Sequence, residues 1–205
     1  MVAKANLFVV SAPSGAGKTS LLKQLIAELG NVQTAISHTT REKRKAEVDG
    51  VDYHFVSQNE FELLIKQDEF HEFATVFGNS YGTSKSSITE QINQGIDVIL
   101  EIDWQGARQI KEQIPKSRSI FILPPSKSAL ESRLKDRGQD DDLVISQRMS
   151  EAISEMSHYN EYDYLVINDD FSVAVSEIKA IILAERQKLP IQQQKNAQML
   201  SNLLV

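Results

Sequence analysis

The sequence predicts an α/β fold, with a largely parallel sheet flanked by helices. Two observations carry that prediction. Short apolar runs of strand length alternate with segments of helical period, and the first such switch passes through a glycine-rich loop, "APSGAGKTS". Residues 6–10, "NLFVV", make the first strand, and Leu21, Leu22, Leu25, Ile26 and Leu29 then form a helical stripe, with Gly30 where the helix would stop. The stretch "SHTTREKRKAEVDGVDYHFVS" has a cationic middle, a DG turn signal and an alternating "VDYHFV", which read as short strands in a hairpin-like insertion. "NEFELLIKQDEFHEFATVF" reads as a helix leading into a strand, "GNSYGTS" as a glycine- and serine-rich loop, and "KSSITEQINQG" as a helix stopped by Gly95. "IDVILEID" and "RSIFILPP" supply two more strands on either side of the helical "WQGARQIKEQIP". Beyond them "SALESRLKDRGQDDDLVISQRMSEAISEMSHY" is helical on both sides of a polar break, and "YDYLVIN" is a last strand before "VAVSEIKAIILAERQKL", a long helix interrupted by Pro190. The glutamine-rich tail reads as a terminal helix, an oligomer contact or a frayed end, so a homo-oligomer stays open.

A chain of 205 residues, 41% of them hydrophobic, is long enough to bury a real core within one domain. It has no cysteine, which excludes disulfides, thiolate zinc sites and cysteine nucleophiles and points to a reducing, cytoplasmic setting. No apolar segment approaches the roughly 20 residues that span a bilayer. "MVAKANLFVV" shows no signal-peptide cleavage site, so a soluble protein without a membrane partner is expected. A net charge of -6 argues against nucleic acid as a partner. His38, His54, His71 and His158 match no zinc spacing and read as structural or surface residues.

The loop carries the first chemistry. To wrap phosphate oxygens with backbone amides, the chain must lack bulk and φ restriction where it closes in, and Gly15 and Gly17 meet that need. The helix that follows points its N-terminus at the phosphates, Lys18 adds a point charge near the β and γ groups, and the Thr19 hydroxyl suits Mg²⁺. Ser11 and Ser14 are secondary. The pattern GxxxxGK[ST] opens on glycine where this chain has Ala12. That position is the exit of the strand, ahead of the closest phosphate approach, so alanine there is a variant of a P-loop. Ala12, Pro13, Ser14, Gly15, Ala16, Gly17, Lys18 and Thr19 are therefore the candidate phosphate cradle. A P-loop does not name a reaction. In "SHTTREKRKAE", Arg41 and Arg44 with Ser37 and Tyr53 nearby could fork onto a second phosphate or form a solvated charged loop, and spacing alone leaves both open.

Taken together and in order, "SAPSGAGKTS", "SHTTR", "DGVDYHFV", "EFATVFGNSYGTS", "EIDWQGARQI" and "VIND" resemble the guanylate kinase family in its bacterial form, over about residues 6–170. The resemblance implies a P-loop NTPase-type core (1–36, 91–125 and 151–205), an inserted GMP-binding subdomain with short strands (37–90) and a small helical lid (126–150) within one domain, 1–205. It implies transfer of the γ-phosphoryl group of ATP to GMP and dGMP, with Mg²⁺ as cofactor. By the same resemblance Ser37, Arg41, Arg44 and Tyr53 would hold the GMP phosphate, with Tyr81 beside it and Glu47 in the same motif. Glu72, Thr83 and Asp103, with Glu101 close by, would meet the base. Carboxylates suit that edge because guanine offers donors at N1 and N2 where adenine offers an acceptor at N1. Glu72 and Asp103 could otherwise be surface or helix-capping acids, and Tyr53 and Tyr81 core-edge tyrosines.

Arg133, Arg137 and Arg148 in the lid segment would approach the transferring group, Arg133 and Arg137 on the ATP side and Arg148 toward GMP as well. Lys18, Arg44, Arg137 and Arg148 are then the catalytic cations. Arg133 and Arg137 could instead be flanking partners of Glu131. Asn168 and Asp169 resemble adenine-side residues, or else form a polar strand end. Lys43, Lys45 and Ala46 depart from the family's usual Pro, Pro and Gly, which makes that loop more cationic and differently constrained. The intact Gly17, Lys18 and Thr19 weigh against an interaction module that has lost its chemistry, and Glu72 with Asp103 weigh against a ribose phosphate as acceptor.

Overall fold

A computed structural model describes residues 5–76, 78–135 and 142–204. In chain order the elements are β1 (Leu7–Ser11), α1 (Lys18–Glu28), β2 (Val32–Thr34), β3 (His38–Thr39), β4 (His54–Phe55), α2 (Gln58–Lys66), β5 (Phe70–Val76), β6 (Asn79–Ser84) and α3 (Lys85–Asn93). They continue with β7 (Asp97–Glu101), α4 (Trp104–Gln113), β8 (Arg118–Leu123), α5 (Lys127–Lys135), α6 (Asp142–Met156), β9 (Tyr164–Ile167), α7 (Phe171–Arg186), α8 (Leu189–Lys195) and α9 (Ala197–Leu203). The chain divides into two compact units, one of Met1–Val9 with Asn31–Ser117 and one of Val10–Gly30 with Arg118–Val205. No described helix is long and apolar enough to cross a membrane.

The first unit holds two sheets' worth of strands. Its share of the larger sheet runs β2-β7-β1, with β2 and β7 parallel and Val32 opposite Asp97. Val98, Ile99 and Leu100 are buried in succession, as a strand covered on both faces requires. The smaller sheet runs β4-β3-β6-β5. There β5 and β6 form an antiparallel hairpin, turned at Gly78 (φ 74), and α2 packs Phe61 onto Phe70 with ring centroids 4.8 Å apart. Ser57 caps α2 in a capping box with Glu60, satisfying two helix-end donors reciprocally.

The second unit carries the end of β1, from Val10, with β8 and β9, which run parallel from Ile120 opposite Tyr164 to Leu123 opposite Ile167. Leu21, Leu22 and Leu25 bury the stripe of α1, which packs on α7. Leu130 and Leu134 of α5 meet Ala152 of α6 in a separate small core. At the far end of α7, Glu185 is 2% exposed and accepts from Arg118 Nε (2.9 Å), Tyr164 Oη (2.5 Å) and Lys188 Nζ (2.7 Å). A buried carboxylate is tolerable there because several donors surround it.

Three local expectations are corrected. "GNSYGTS" is strand β6: pairing with β5 satisfies its backbone, and Gly82 is demanded by the Phe61 and Phe70 rings, 3.1 Å from where a Cβ would fall. The "VDYHFV" segment makes no hairpin of its own, because β4 pairs parallel with β3 and the DG turn closes only an isolated bridge between Asp49 and Tyr53. The helix stop expected at Gly30 holds, since α1 ends at Glu28 with Leu29 as its C-cap, and the left-handed residue that follows is Asn31 (φ 57). Pro190 opens α8, since a helix's first turn needs no N–H donor, and α7 has already ended at Arg186. The tail is helical, as one of its three readings held.

Candidate active site

In the second unit the chain leaves β1 and turns at Pro13, whose carbonyl accepts from Ala16 N at 3.1 Å. Gly15 (φ 90) and Gly17 (φ 92) occupy the left-handed region, which explains both glycines. Among the described residues, Asn31 and Asp68 are the non-glycine residues with positive φ, so the backbone at Ala12 makes no demand for glycine. Gly17 caps α1 without any side-chain hydrogen bond, and Lys18 and Thr19 are the helix's first two residues. A helix start that no side chain caps presents its amides and its positive dipole end to an anion.

The shape of this loop is held from elsewhere in the same unit. Asn168, 4% exposed just past β9, donates from Nδ2 to the Ala16 carbonyl at 2.7 Å. Its backbone N–H reaches Leu123 O at 2.8 Å, its carbonyl accepts Arg133 Nη2 at 2.9 Å, and its Oδ1 has no partner among the described residues. Arg133 is thus directed at the end of β9. Asp169 is exposed. The amide of Ser14 donates to Glu155 Oε2 at 3.1 Å, a contact from α6 that sequence reasoning did not single out. Arg148 also lies on α6, and Arg137 falls outside the described residues.

In the first unit two clusters form. Arg41 Nη2 meets Glu47 Oε1 at 2.7 Å, and Glu47 Oε2 accepts from the Arg44 amide at 2.8 Å. Burial pushes the Glu47 carboxyl up, but Arg41 and Arg44 outweigh that and hold it below the usual range. The Arg41 guanidinium also lies 5.5 Å from the Tyr53 ring centroid and 5.9 Å from that of Phe55, and Tyr53 stands edge-on to Tyr81 at 6.0 Å. Burial, reinforced by the Glu101 carboxylate, pushes the Tyr53 phenol up to about 12, so it remains a hydrogen-bond donor. Arg44, Lys43 and Lys45 project into solvent.

The second cluster is drier. Glu72 is 2% exposed and Thr83 is fully buried. Thr83 Oγ1 donates to Glu72 Oε1 at 2.6 Å and is 3.0 Å from Ser37 Oγ. Burial raises the Glu72 carboxyl to about 7, with the Thr83 hydrogen bond opposing and the Asp103 carboxylate adding to the rise. Asp103 caps α4: its Oδ1 accepts from Gly106 N at 2.9 Å and its Oδ2 from Gln105 Nε2 at 3.0 Å. The helix-capping alternative for Asp103 is therefore realised in the same side chain that lies close enough to Glu72 to perturb it. Glu101 ends β7 half-buried.

The histidines are engaged in ring contacts or side-chain hydrogen bonds. His38 stacks on His54 with centroids 4.7 Å apart, His71 meets Gln113, and His158 meets Glu161. Among the described residues no group of three or more His, Cys, Asp or Glu could hold a metal ion.

A parallel sheet flanked by helices, with a glycine-turned loop feeding an uncapped helix start, defines a P-loop nucleotide-binding protein. The guanylate kinase family model matches residues 4–185. A guanylate kinase of Vibrio cholerae serotype O1 is 57% identical over 203 residues, covering 98% of each chain, and one of Pseudoalteromonas translucida is 51% identical over 201 residues, again 98% of each. The crystal structure of guanylate kinase from Anaplasma phagocytophilum superposes with a TM-score of 0.75 at 34% identity, over 92% of this chain and 89% of that one. The chain belongs to the guanylate kinase family.

Proposed function

We propose that this chain phosphorylates GMP to GDP with ATP through the residues assembled above, ATP's phosphates lying on the loop from Ala12 to Thr19 and GMP on the clusters built from residues 37–103. The observation that carries the reading is Glu72, a carboxylate buried beside Thr83, Ser37 and Asp103 in a chain of this family. A buried acceptor pair is costly unless a ligand brings donors, and guanine's N1–H and N2–H are two adjacent donors. Adenine would set its N1 lone pair against the same oxygens and leave them unpaired. Arg41, with its planar fork already oriented by Glu47, Arg44, Tyr53 and Tyr81 would take the GMP phosphate.

The attacking group is a phosphate oxygen that is already anionic, so no general base is needed and catalysis reduces to positioning and charge neutralisation. Lys18 at the start of α1 neutralises the β and γ oxygens. Arg44, Arg137 and Arg148 supply charge to the moving phosphoryl group, and Arg133 and Asp169 serve the ATP side. Asn168 acts there through the loop it holds. Thr19 fits Mg²⁺: its hydroxyl, at the head of α1, is a hard oxygen donor of the kind such an ion takes beside nucleotide phosphates and water. Bound there, the ion offsets charge on the phosphates. In this reading residues 37–90 are the GMP-binding subdomain, 126–150 the lid and the remainder the core, and the cysteine-free chain works in the cytoplasm without nucleic acid or membrane. The test is a coupled ADP-release assay with GMP, dGMP, AMP, UMP and ribose phosphates. Turnover of GMP and dGMP alone is expected, and comparable turnover of any other acceptor would overturn the assignment.

A further inference from the structure

We infer that one face of α4, made by Gly106, Gln109 and Gln113, positions Glu72 against the substrate base and is a specificity-determining element. This rests on the reading of Glu72 as the acceptor for guanine. The three residues are spaced i, i+3, i+7 and so share a face. That face lies along β5, an edge strand of the smaller sheet.

An edge strand exposes backbone donors and acceptors on its open side. Here the helix supplies the missing partner. Gln109 Oε1 accepts from Phe73 N at 3.1 Å while its Nε2 donates to Phe73 O at 2.8 Å, so a single amide side chain imitates a neighbouring strand. Gln113 Nε2 donates to His71 O at 2.6 Å. The register between β5 and β6 shifts between Phe70 and Glu72 and skips His71, which leaves that residue to the helix. The backbone immediately before and after Glu72 is thereby held by two glutamines one turn apart.

Gly106 completes the arrangement at the carboxylate itself. A Cβ added there would stand 2.5 Å from Glu72 Oε2 and 3.2 Å from its Cδ, so the acid occupies the space a side chain would fill. Gly106 has ordinary helical φ, and glycine inside a helix is destabilising relative to alanine. Local backbone geometry therefore gives no reason for glycine at this position; the Glu72 carboxylate does. The same residue's N–H fixes Asp103 Oδ1, so Gly106 sets both acids together.

The experiment compares Gly106→Ala, Gln109→Leu, Glu72→Gln and the double variant Glu72→Gln/Gly106→Ala by KM for GMP, KM for ATP, kcat and Tm. Gly106→Ala is expected to raise the KM for GMP about tenfold or more, because a displaced acceptor forfeits hydrogen bonds to the base, with KM for ATP unmoved and Tm no lower. Gln109→Leu is expected to raise it about threefold by loosening β5. In the Glu72→Gln background, adding Gly106→Ala should change the KM for GMP by less than about twofold, the signature of one residue acting through another. If Glu72→Gln impairs GMP while Gly106→Ala and Gln109→Leu do not, or if both shift the ATP and GMP constants together, the positioning role of α4 is refuted and the base reading survives. If Glu72→Gln leaves the KM for GMP intact, the base reading falls and the inference with it. Should Gly106→Ala not fold, Gln109→Leu alone decides.

Discussion

The side-chain amide of Asn168 donates to the carbonyl of Ala16 at 2.7 Å, so the end of one strand holds the phosphate loop that follows another. The same nitrogen stands 2.6 Å from where a Cβ on Gly17 would fall. Gly17 is thus doubly constrained, by its left-handed backbone and by Asn168. Gly17→Ala is expected to abolish turnover, and Asn168→Ala to raise the KM for ATP about tenfold through a loosened loop. Initial rates at varied ATP and saturating GMP check both. An Asn168→Ala enzyme with an unchanged ATP constant would show that the loop keeps its shape unaided.

Lys18→Ala removes the charge assigned to the β and γ oxygens, from a side chain that is half exposed at the head of α1. We expect kcat to fall by about a thousandfold or more, as for other preorganised charges at a transferring group. Thermal unfolding should stay within a few degrees of the parent. Turnover near the parental rate would remove Lys18 from the mechanism.

How far these features could be read in advance varies with the physics behind them. The glycine-rich turn between β1 and α1 was legible because left-handed backbone forces glycine into particular places in a short stretch, and Gly15 and Gly17 show that conformation. Strands β1, β7 and β8 were legible because strands buried on both faces are written as continuous apolar runs. The three-residue strand β2 was not, having a single buried residue, Val32, to announce it. Strand β6 was hidden by its composition: its glycine answers two phenylalanine rings in α2 and β5, a tertiary demand that overrides local propensity. Gly106 gave a faint signal, an isolated glycine inside a helical pattern, whose cause lay 34 positions away at Glu72. Glu155 gave none, because its partner is a backbone amide of Ser14.

Arg41 and Glu47 predict a defect of loop order. Glu47 ties the Arg41 guanidinium to the Arg44 backbone, and the cationic Lys43 and Lys45 beside them offer no rigidity of their own. Glu47→Gln keeps one acceptor oxygen, so it cannot hold both the Arg41 guanidinium and the Arg44 amide as the carboxylate does; with Arg41 Nη1 still on Glu42 O at 2.8 Å, the KM for GMP should rise about threefold to fivefold. The KM for ATP and the melting temperature should barely move. A salt titration separates this from simple charge change: the parental defect on adding salt should be smaller than the defect caused by the substitution, because a half-buried pair is screened less than an exposed one.

Glu185 predicts stability without function. Glu185→Ala removes the acceptor that Arg118 Nε, Tyr164 Oη and Lys188 Nζ share. The loss should be about 2 kcal/mol in urea unfolding, since the deleted acceptor is buried while the cations it leaves reach solvent. Both substrate constants should be retained at low temperature. A loss under about 1 kcal/mol would mean that solvent replaces the carboxylate.

Glu72 predicts a trade between stability and substrate binding that pH exposes. Its carboxyl titrates at about 7 in the fold against 4.5 ordinarily, so below pH 4.5 it is neutral in folded and unfolded chains alike. As pH rises from there to about 7, the unfolded chain ionises while the folded one keeps its proton, and the stability that the neutral acid allows is progressively lost. Integrated over the window, the loss is about 3 kcal/mol. Glu72→Gln, which keeps an oxygen for the Thr83 hydroxyl and never ionises, should therefore be more stable than the parent at pH 8 by about that amount, with the gap closing toward pH 5. Binding runs the other way. Guanine's two donors need the ionised acid, so the KM for GMP should rise as pH falls below about 7, GMP uptake at pH 6 should release a proton, and the KM for ATP should show no such dependence. Urea unfolding of both proteins at pH 5 and pH 8, with GMP titrations in two buffers of different ionisation enthalpy, measures each half. A stability gap that does not vary with pH would show that Glu72 is charged throughout, and GMP binding without proton release would show that the base does not engage it.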